Sequence, residues 1–119
     1  MAHLIYVNGR GNGERIRFIL GAALGSDWKE TYLTNKAELR EVKDQLPFDF
    51  VPMLEIDGMK LNQSHASMRY VAKKYNLIPN DPELAVKADV MHENLRDVEN
   101  AFVLIGWGKI KMYFNKQLL

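Results

Sequence analysis

A chain of 119 residues has the material for one compact domain and too little for two ordinary ones. Hydrophobic residues make up 47% and charged residues 26%, the balance of a globular rather than a disordered protein. Lys+Arg 16 against Asp+Glu 15 leave a net charge of +1, so no broad field exists to hold nucleic acid or an anionic membrane.

The segment Met1–Asn8 has no basic stretch, and its apolar run stops at Asn8, so it does not read as a signal peptide. Its His3–Val7 portion reads as a short buried strand. Asn8-Gly9-Arg10-Gly11-Asn12-Gly13 follows as a glycine-rich turn. Ile16, Ile19, Leu20, Ala23 and Leu24 then fall on one face of a helix that Gly25 ends. Trp28–Leu33 predicts a second strand, and Lys36–Gln45 a polar helix carrying Leu39 and Val42. Two prolines break the pattern over Pro47–Pro52. Met53–Ile56 and Met59–Leu61 flank Asp57-Gly58, the strongest hairpin signal in the chain.

Ser64 is expected to cap a third helix with Met68, Val71, Ala72 and Tyr75 as its buried stripe. After an Asn76–Asp81 connector, Asp81-Pro82-Glu83 opens a long helix with a capping residue, a first-turn proline and a first-turn acid. Leu84, Ala88, Met91, Leu95, Val98, Phe102 and Ile105 recur at alternating steps of four and three. Such a stripe needs a long apolar partner surface, from the same domain or from a second copy. Gly106-Trp107-Gly108 interrupts it, and Lys109–Leu119 is a basic, apolar tail. The longest other apolar run, Ala101–Gly106, falls far short of the ~20 residues that span a bilayer. A cytoplasmic protein without a membrane segment is the expectation. The order β-α-β-α-β-β-α describes an α/β, thioredoxin-like sheet followed by a further helix.

With no cysteine in the chain, disulfides, thiolate metal sites and Cys nucleophiles are excluded. His3, His65 and His92 lie in three elements without metal-ligand spacing, so no metal is expected. Gly9, Gly11 and Gly13 do not fit GxGxxG, because Glu14 stands at the final position, and no Walker lysine is present. The turn either needs glycine for its shape or offers helix N–H groups to an anion or thiolate. Tyr6 ends the first strand as a packed aromatic or a catalytic hydroxyl. Val51-Pro52 is a candidate cis bond. Gln63-Ser64 is an ordinary cap or a carboxylate seat.

Taken jointly these residues resemble the cytosolic glutathione transferases, closest to the sigma and alpha classes. The matching stretches are Ile5–Gly11, Val51–Leu61, Gln63-Ser64 and Arg69–Leu77, in order and at matching spacing from His3 to Phe102. The resemblance implies a thioredoxin-like glutathione-binding domain over 1–79 and a curtailed all-helical segment of one or two helices over 80–119. It implies that Tyr6 donates a hydrogen bond to the glutathione sulfur. Glutathione, as co-substrate, would be held by Tyr6, Lys43, Phe50, Val51, Pro52, Gln63 and Ser64. Asp97 would reach the tripeptide bound in the partner of a homodimer, and Phe48 would wedge into that partner.

The implied reaction is attack of the thiolate on a small hydrophobic electrophile. Isomerase and peroxidase variants use the same thiolate. Asn12 stands where sigma and alpha members usually carry an arginine that assists thiolate formation, and Phe50 replaces a common polar residue. Those departures and the short length favour an alternative, a non-catalytic glutathione-binding or structural relative.

Overall fold

The computed structural model describes residues 1–104. The expectations for Ile105, the Gly106-Trp107-Gly108 interruption and the Lys109–Leu119 tail lie outside them. The chain divides into two units, Met1–Leu77 and Ile78–Leu119.

In the first unit, β1 (Ala2–Val7), β2 (Trp28–Leu33), β3 (Met53–Ile56) and β4 (Met59–Leu61) form one sheet in the order β2-β1-β3-β4. β1 pairs parallel with β2, and β3 runs antiparallel to both β1 and β4. A parallel pair requires a crossover, which α1 (Gly11–Leu24) supplies. The antiparallel β3–β4 pair needs only the Asp57-Gly58 turn, with φ of 53° and 74°. Positive φ at both central residues matches the right-handed twist of a hairpin. This is the expected thioredoxin-like arrangement.

Strand side chains alternate between faces, and here both faces are covered. Leu4, Leu54 and Ile56 pack with Ile16 and Leu20 of α1 and Val71 of α3 (Ser64–Lys74). Ile5, Leu33, Met53 and Leu46 form the opposite cluster, joined by Leu39 and Val42 of α2 (Lys36–Val42). Each fully buried Leu or Ile contributes about 1.5–3 kcal/mol. α2 is shorter than the predicted Lys36–Gln45 helix, because Lys43–Gln45 tightens into a 3-10 turn.

Two local readings are corrected. α1 starts at Gly11 inside the expected turn. The α3 cap position is Gln63, not Ser64, and the buried face of the helix is Ser64, Ser67 and Val71, with Met68, Ala72 and Tyr75 half-buried.

The second unit contains α4 (Pro82–Leu104). Asp81 caps it as its sequence predicts, its Oδ1 accepting from Leu84 N–H at 2.9 Å. The stripe residues Leu84, Met91, Leu95, Val98 and Phe102 are exposed. No helix among the described residues is long and apolar enough to cross a membrane.

Candidate active site

The register Ile5↔Met53 places Tyr6 and Val7 at the sheet end where the segment before β3 arrives. Tyr6 points to the α1 side, and its half-buried ring packs against the Leu4–Leu20 cluster. Its hydroxyl oxygen accepts a hydrogen bond from Asn12 N–H at 3.1 Å. Asn12 is the second residue of α1, where backbone N–H groups have no partner within the helix and the dipole is positive. A phenol that accepts there keeps its own proton to donate elsewhere.

Glycine makes that approach possible. A β-carbon on Gly13 would stand 2.1 Å from Tyr6 Cδ1, and one on Gly11 would stand 2.7 Å from the hydroxyl oxygen. Both are closer than real atoms come, and Gly11 also has φ of 42°. Space for Tyr6 is a reason for glycine at these positions beyond the two that the sequence offered. Gly9 meets nothing closer than 3.9 Å.

Arg17, one turn beyond Gly13, lies against the Tyr6 ring at 5.7 Å from its centroid and against Tyr32 at 5.4 Å. Its nitrogens donate to Glu30 at 2.7–3.0 Å, to Glu14 at 2.7 Å and to the Gly9 carbonyl at 2.7 Å. The Glu30 side chain is only 5% exposed. Its hydrogen bond raises the guanidinium further above its already high pKa, against the cost of partial burial, with Glu14 adding to the effect.

The Val51-Pro52 bond is cis. Pro52 is buried, and Val51 is half-buried against the Ile5–Met53 cluster. Buried Asn62 holds this loop, its Nδ2 donating to the Phe50 carbonyl at 2.8 Å and the Pro52 carbonyl at 3.1 Å. Asn62 thereby joins the loop before β3 to the start of α3.

There Gln63 has φ of 67°, a sparsely allowed value for a residue with a side chain. Its exposed side chain makes no capping bond, while its carbonyl accepts from Ser67 N–H at 3.0 Å and Ser67 Oγ at 3.3 Å. Observed backbone strain of this kind marks a position for functional scrutiny. Buried Ser64 accepts from Arg15 Nη1 at 3.4 Å, and the same nitrogen donates to His65 Nε2.

Tyr6, Val51, Pro52, Gln63 and Ser64 thus converge on one end of the sheet, where α1 and α3 both begin. Lys43 is exposed and pairs with Asp49 at 3.5 Å. Phe50 stacks on Phe48 with centroids 6.2 Å apart, and both are exposed. Asp97 is exposed on α4, in the other unit. A groove of about 340 Å³ beside Val7, Asn8, Leu33 and Leu39 is lined by none of Tyr6, Lys43, Phe50, Val51, Pro52, Gln63, Ser64 or Asp97.

The family model of the glutathione S-transferase N-terminal domain matches residues 2–73. The chain belongs to the glutathione S-transferase family. It is 38% identical over 104 residues to glutathione S-transferase A3 of Homo sapiens, covering 86% of this chain and 46% of the relative. Against glutathione S-transferase alpha-5 of Rattus norvegicus it is 41% identical over 98 residues, covering 81% and 44%. A Nu-class glutathione S-transferase structure from Haemonchus contortus superposes with a TM-score of 0.73 at 35% identity, covering 84% of this chain and 49% of that one. The chain spans somewhat under half the length of the curated relatives it matches.

Three residues of this candidate site escape sequence reasoning. Gly13 was legible only as turn material. Arg17 sits on the polar side of the α1 pattern, though a glutamate at position 30 in a strand was a signal that a cation must meet it. Asn62 directly follows a strand, where asparagine usually marks a turn.

Proposed function

We propose that this chain binds glutathione and activates its thiol for transfer to a small hydrophobic electrophile. The observation carrying the reading is the Tyr6 hydroxyl at the N-terminus of α1, accepting from Asn12 N–H with its own proton left to give. That contact uses the main chain of Asn12, so it does not depend on an arginine side chain at this position.

A free thiol of pKa ~8.5 is only a few per cent thiolate at neutral pH. Lowering its pKa by about 2 units takes about 2.7 kcal/mol of preferential stabilisation of the anion. One charge-assisted hydrogen bond from the Tyr6 hydroxyl, beside a positive helix end, supplies most of that amount. The thiol proton leaves to solvent. The sulfur lone pair then forms a bond to the electrophilic carbon, and the displaced electron pair departs with the leaving group or stays on the adduct.

The rest of the tripeptide is assigned by residue. Val51, before cis-Pro52, presents its main chain to the cysteinyl backbone, with Phe50 beside it. Gln63 and Ser64 take the γ-glutamyl carboxylate, a role consistent with an uncommitted Gln63 side chain and with Arg15 adding positive charge at Ser64 Oγ. Lys43 takes the glycyl carboxylate, giving up Asp49. The exposed stripe of α4 suits a second copy of the chain, whose Asp97 would reach the tripeptide. Residues 1–79 are assigned to glutathione binding and 80–119 to a helical segment.

The test is conjugation of a generic aromatic electrophile by wild type and Tyr6→Phe, with glutathione titration by calorimetry. The rate falls on the order of a hundredfold in the variant while glutathione still binds. Binding without conjugation in wild type would favour the non-catalytic alternative.

A further inference from the structure

We infer that Arg17 is a positioning residue for Tyr6, clamping its ring and the turn after β1 so that the hydroxyl stays at Asn12 N–H with its proton directed outward. This rests on the reading of Tyr6 as the group that activates the thiol.

Tyr6 and Tyr32 are register partners on adjacent parallel strands, and Leu4 pairs with Glu30. Side chains two residues apart on a strand share a face, so Glu30, Tyr32 and Tyr6 all point toward α1. Arg17 comes down onto that patch from the helix. Every guanidinium nitrogen has a use. Nε and Nη2 grip the buried Glu30 carboxylate, and Nη1 reaches both Glu14 and the Gly9 carbonyl.

These contacts fix three things at once. The Glu30 pair ties α1 to β2, and the Gly9 bond pins the turn between β1 and α1. The cation then lies over the Tyr6 ring, its Cζ 5.7 Å from the centroid, an attractive arrangement for a guanidinium. A planar fork is required, because a lysine ammonium is a point charge that cannot grip a carboxylate with two parallel bonds while lying over the rings. Gly13 lets the ring approach the helix, while Arg17 stops it from leaving.

The consequence differs from that of a merely structural ion pair. Loosening Arg17 frees the ring about the Cα–Cβ bond and breaks the Asn12–Tyr6 contact, while the seats at Val51 and Gln63-Ser64 stay in place. Loss should appear in thiolate formation more than in glutathione affinity.

The experiment compares wild type, Tyr6→Phe, Arg17→Lys and Arg17→Met by amide NMR, with β3 and α3 amides reporting an intact fold. In both Arg17 variants the Asn12 amide should shift toward its position in Tyr6→Phe and exchange about fivefold faster or more, as loss of one hydrogen bond requires. In the same variants the thiolate fraction of bound glutathione, read by ultraviolet absorbance, should fall by about tenfold or more, as misplacement of a catalytic group does. The glutathione dissociation constant should change less than the thiolate fraction. If Arg17→Met does not fold, Arg17→Lys and Glu30→Gln serve instead, the latter releasing the fork without touching Arg17. An Asn12 amide identical to wild type in a folded Arg17→Lys overturns the inference. An Asn12 amide that responds to Arg17, with a thiolate fraction indifferent to Tyr6→Phe, supports the clamp and defeats the functional reading instead.

Discussion

Tyr6 Cδ1 occupies space that a β-carbon on Gly13 would need, the two positions lying 2.1 Å apart. The aromatic ring and the helix that carries Gly13 are therefore built to one another. Helix propensity opposes glycine here, since Ala in a helix interior is better by about 1 kcal/mol. The site overrides it.

Gly13→Ala separates these two effects. An ordinary helical glycine would gain stability on this change. At Gly13 the ring must swing away, breaking the 3.1 Å contact with Asn12 N–H. The expected result is lower thermal stability and conjugation reduced by about tenfold or more. Thermal melts and initial rates check it, with Gly21→Ala as the control. A β-carbon on Gly21 would meet nothing within 4 Å, so there the helix gains.

Asn62→Ala removes the two hydrogen bonds that hold the Phe50 and Pro52 carbonyls. The Asn62 Oδ1 has no partner among the described residues, so it contributes nothing that alanine would lose. Stability should fall by about 1–3 kcal/mol, the penalty for leaving buried groups unpaired. Urea denaturation measures that loss. Glutathione titration should show weaker binding, because the Val51 main chain loses its fixed position.

The β3–β4 turn is clasped to α3. Asp57 accepts hydrogen bonds from Lys74 Nζ and Tyr70 Oη, and those two contacts, Lys74 first, hold its carboxyl below the usual range. The same Asp57 bond raises Lys74 and Tyr70. A depressed carboxylate contributes stability that is present above its unfolded pKa of ~3.9 and lost as pH falls through the folded value. A raised ammonium contributes stability present below ~10.4 and lost as pH rises through its folded value. Asp57→Asn should therefore lower the urea midpoint between about pH 5 and 9, with the gap to wild type closing below about pH 4. A gap of constant size down to strong acid would contradict the clasp.

Much of this architecture can be read directly from residue pattern. Trp28–Leu33 declares itself through the strand formers Trp28, Tyr32 and Leu33, and Asp57-Gly58 is a local turn whose chemistry is complete in two residues. Asp81 caps α4 through its own neighbour. Those features are decided within a few residues of sequence. The start of α1 was not, because Gly11 and Gly13 answer to a ring arriving from β1 rather than to a turn. Arg17 and Asn62 act across gaps in sequence, onto Glu30 and the Phe50–Pro52 carbonyls, so neither has a local signature. Tyr6, Val51-Pro52 and Gln63-Ser64 were legible as a set only through their order and spacing, although they meet at one end of one sheet.

The most direct measurement is the pKa of the glutathione thiol bound to wild type and to Tyr6→Phe, followed by thiolate absorbance across pH. Wild type should bring it down by about 2 units from the free value of ~8.5, and Tyr6→Phe should return it most of the way. Equal values for the two proteins, with glutathione bound to both, would contradict the assignment of Tyr6.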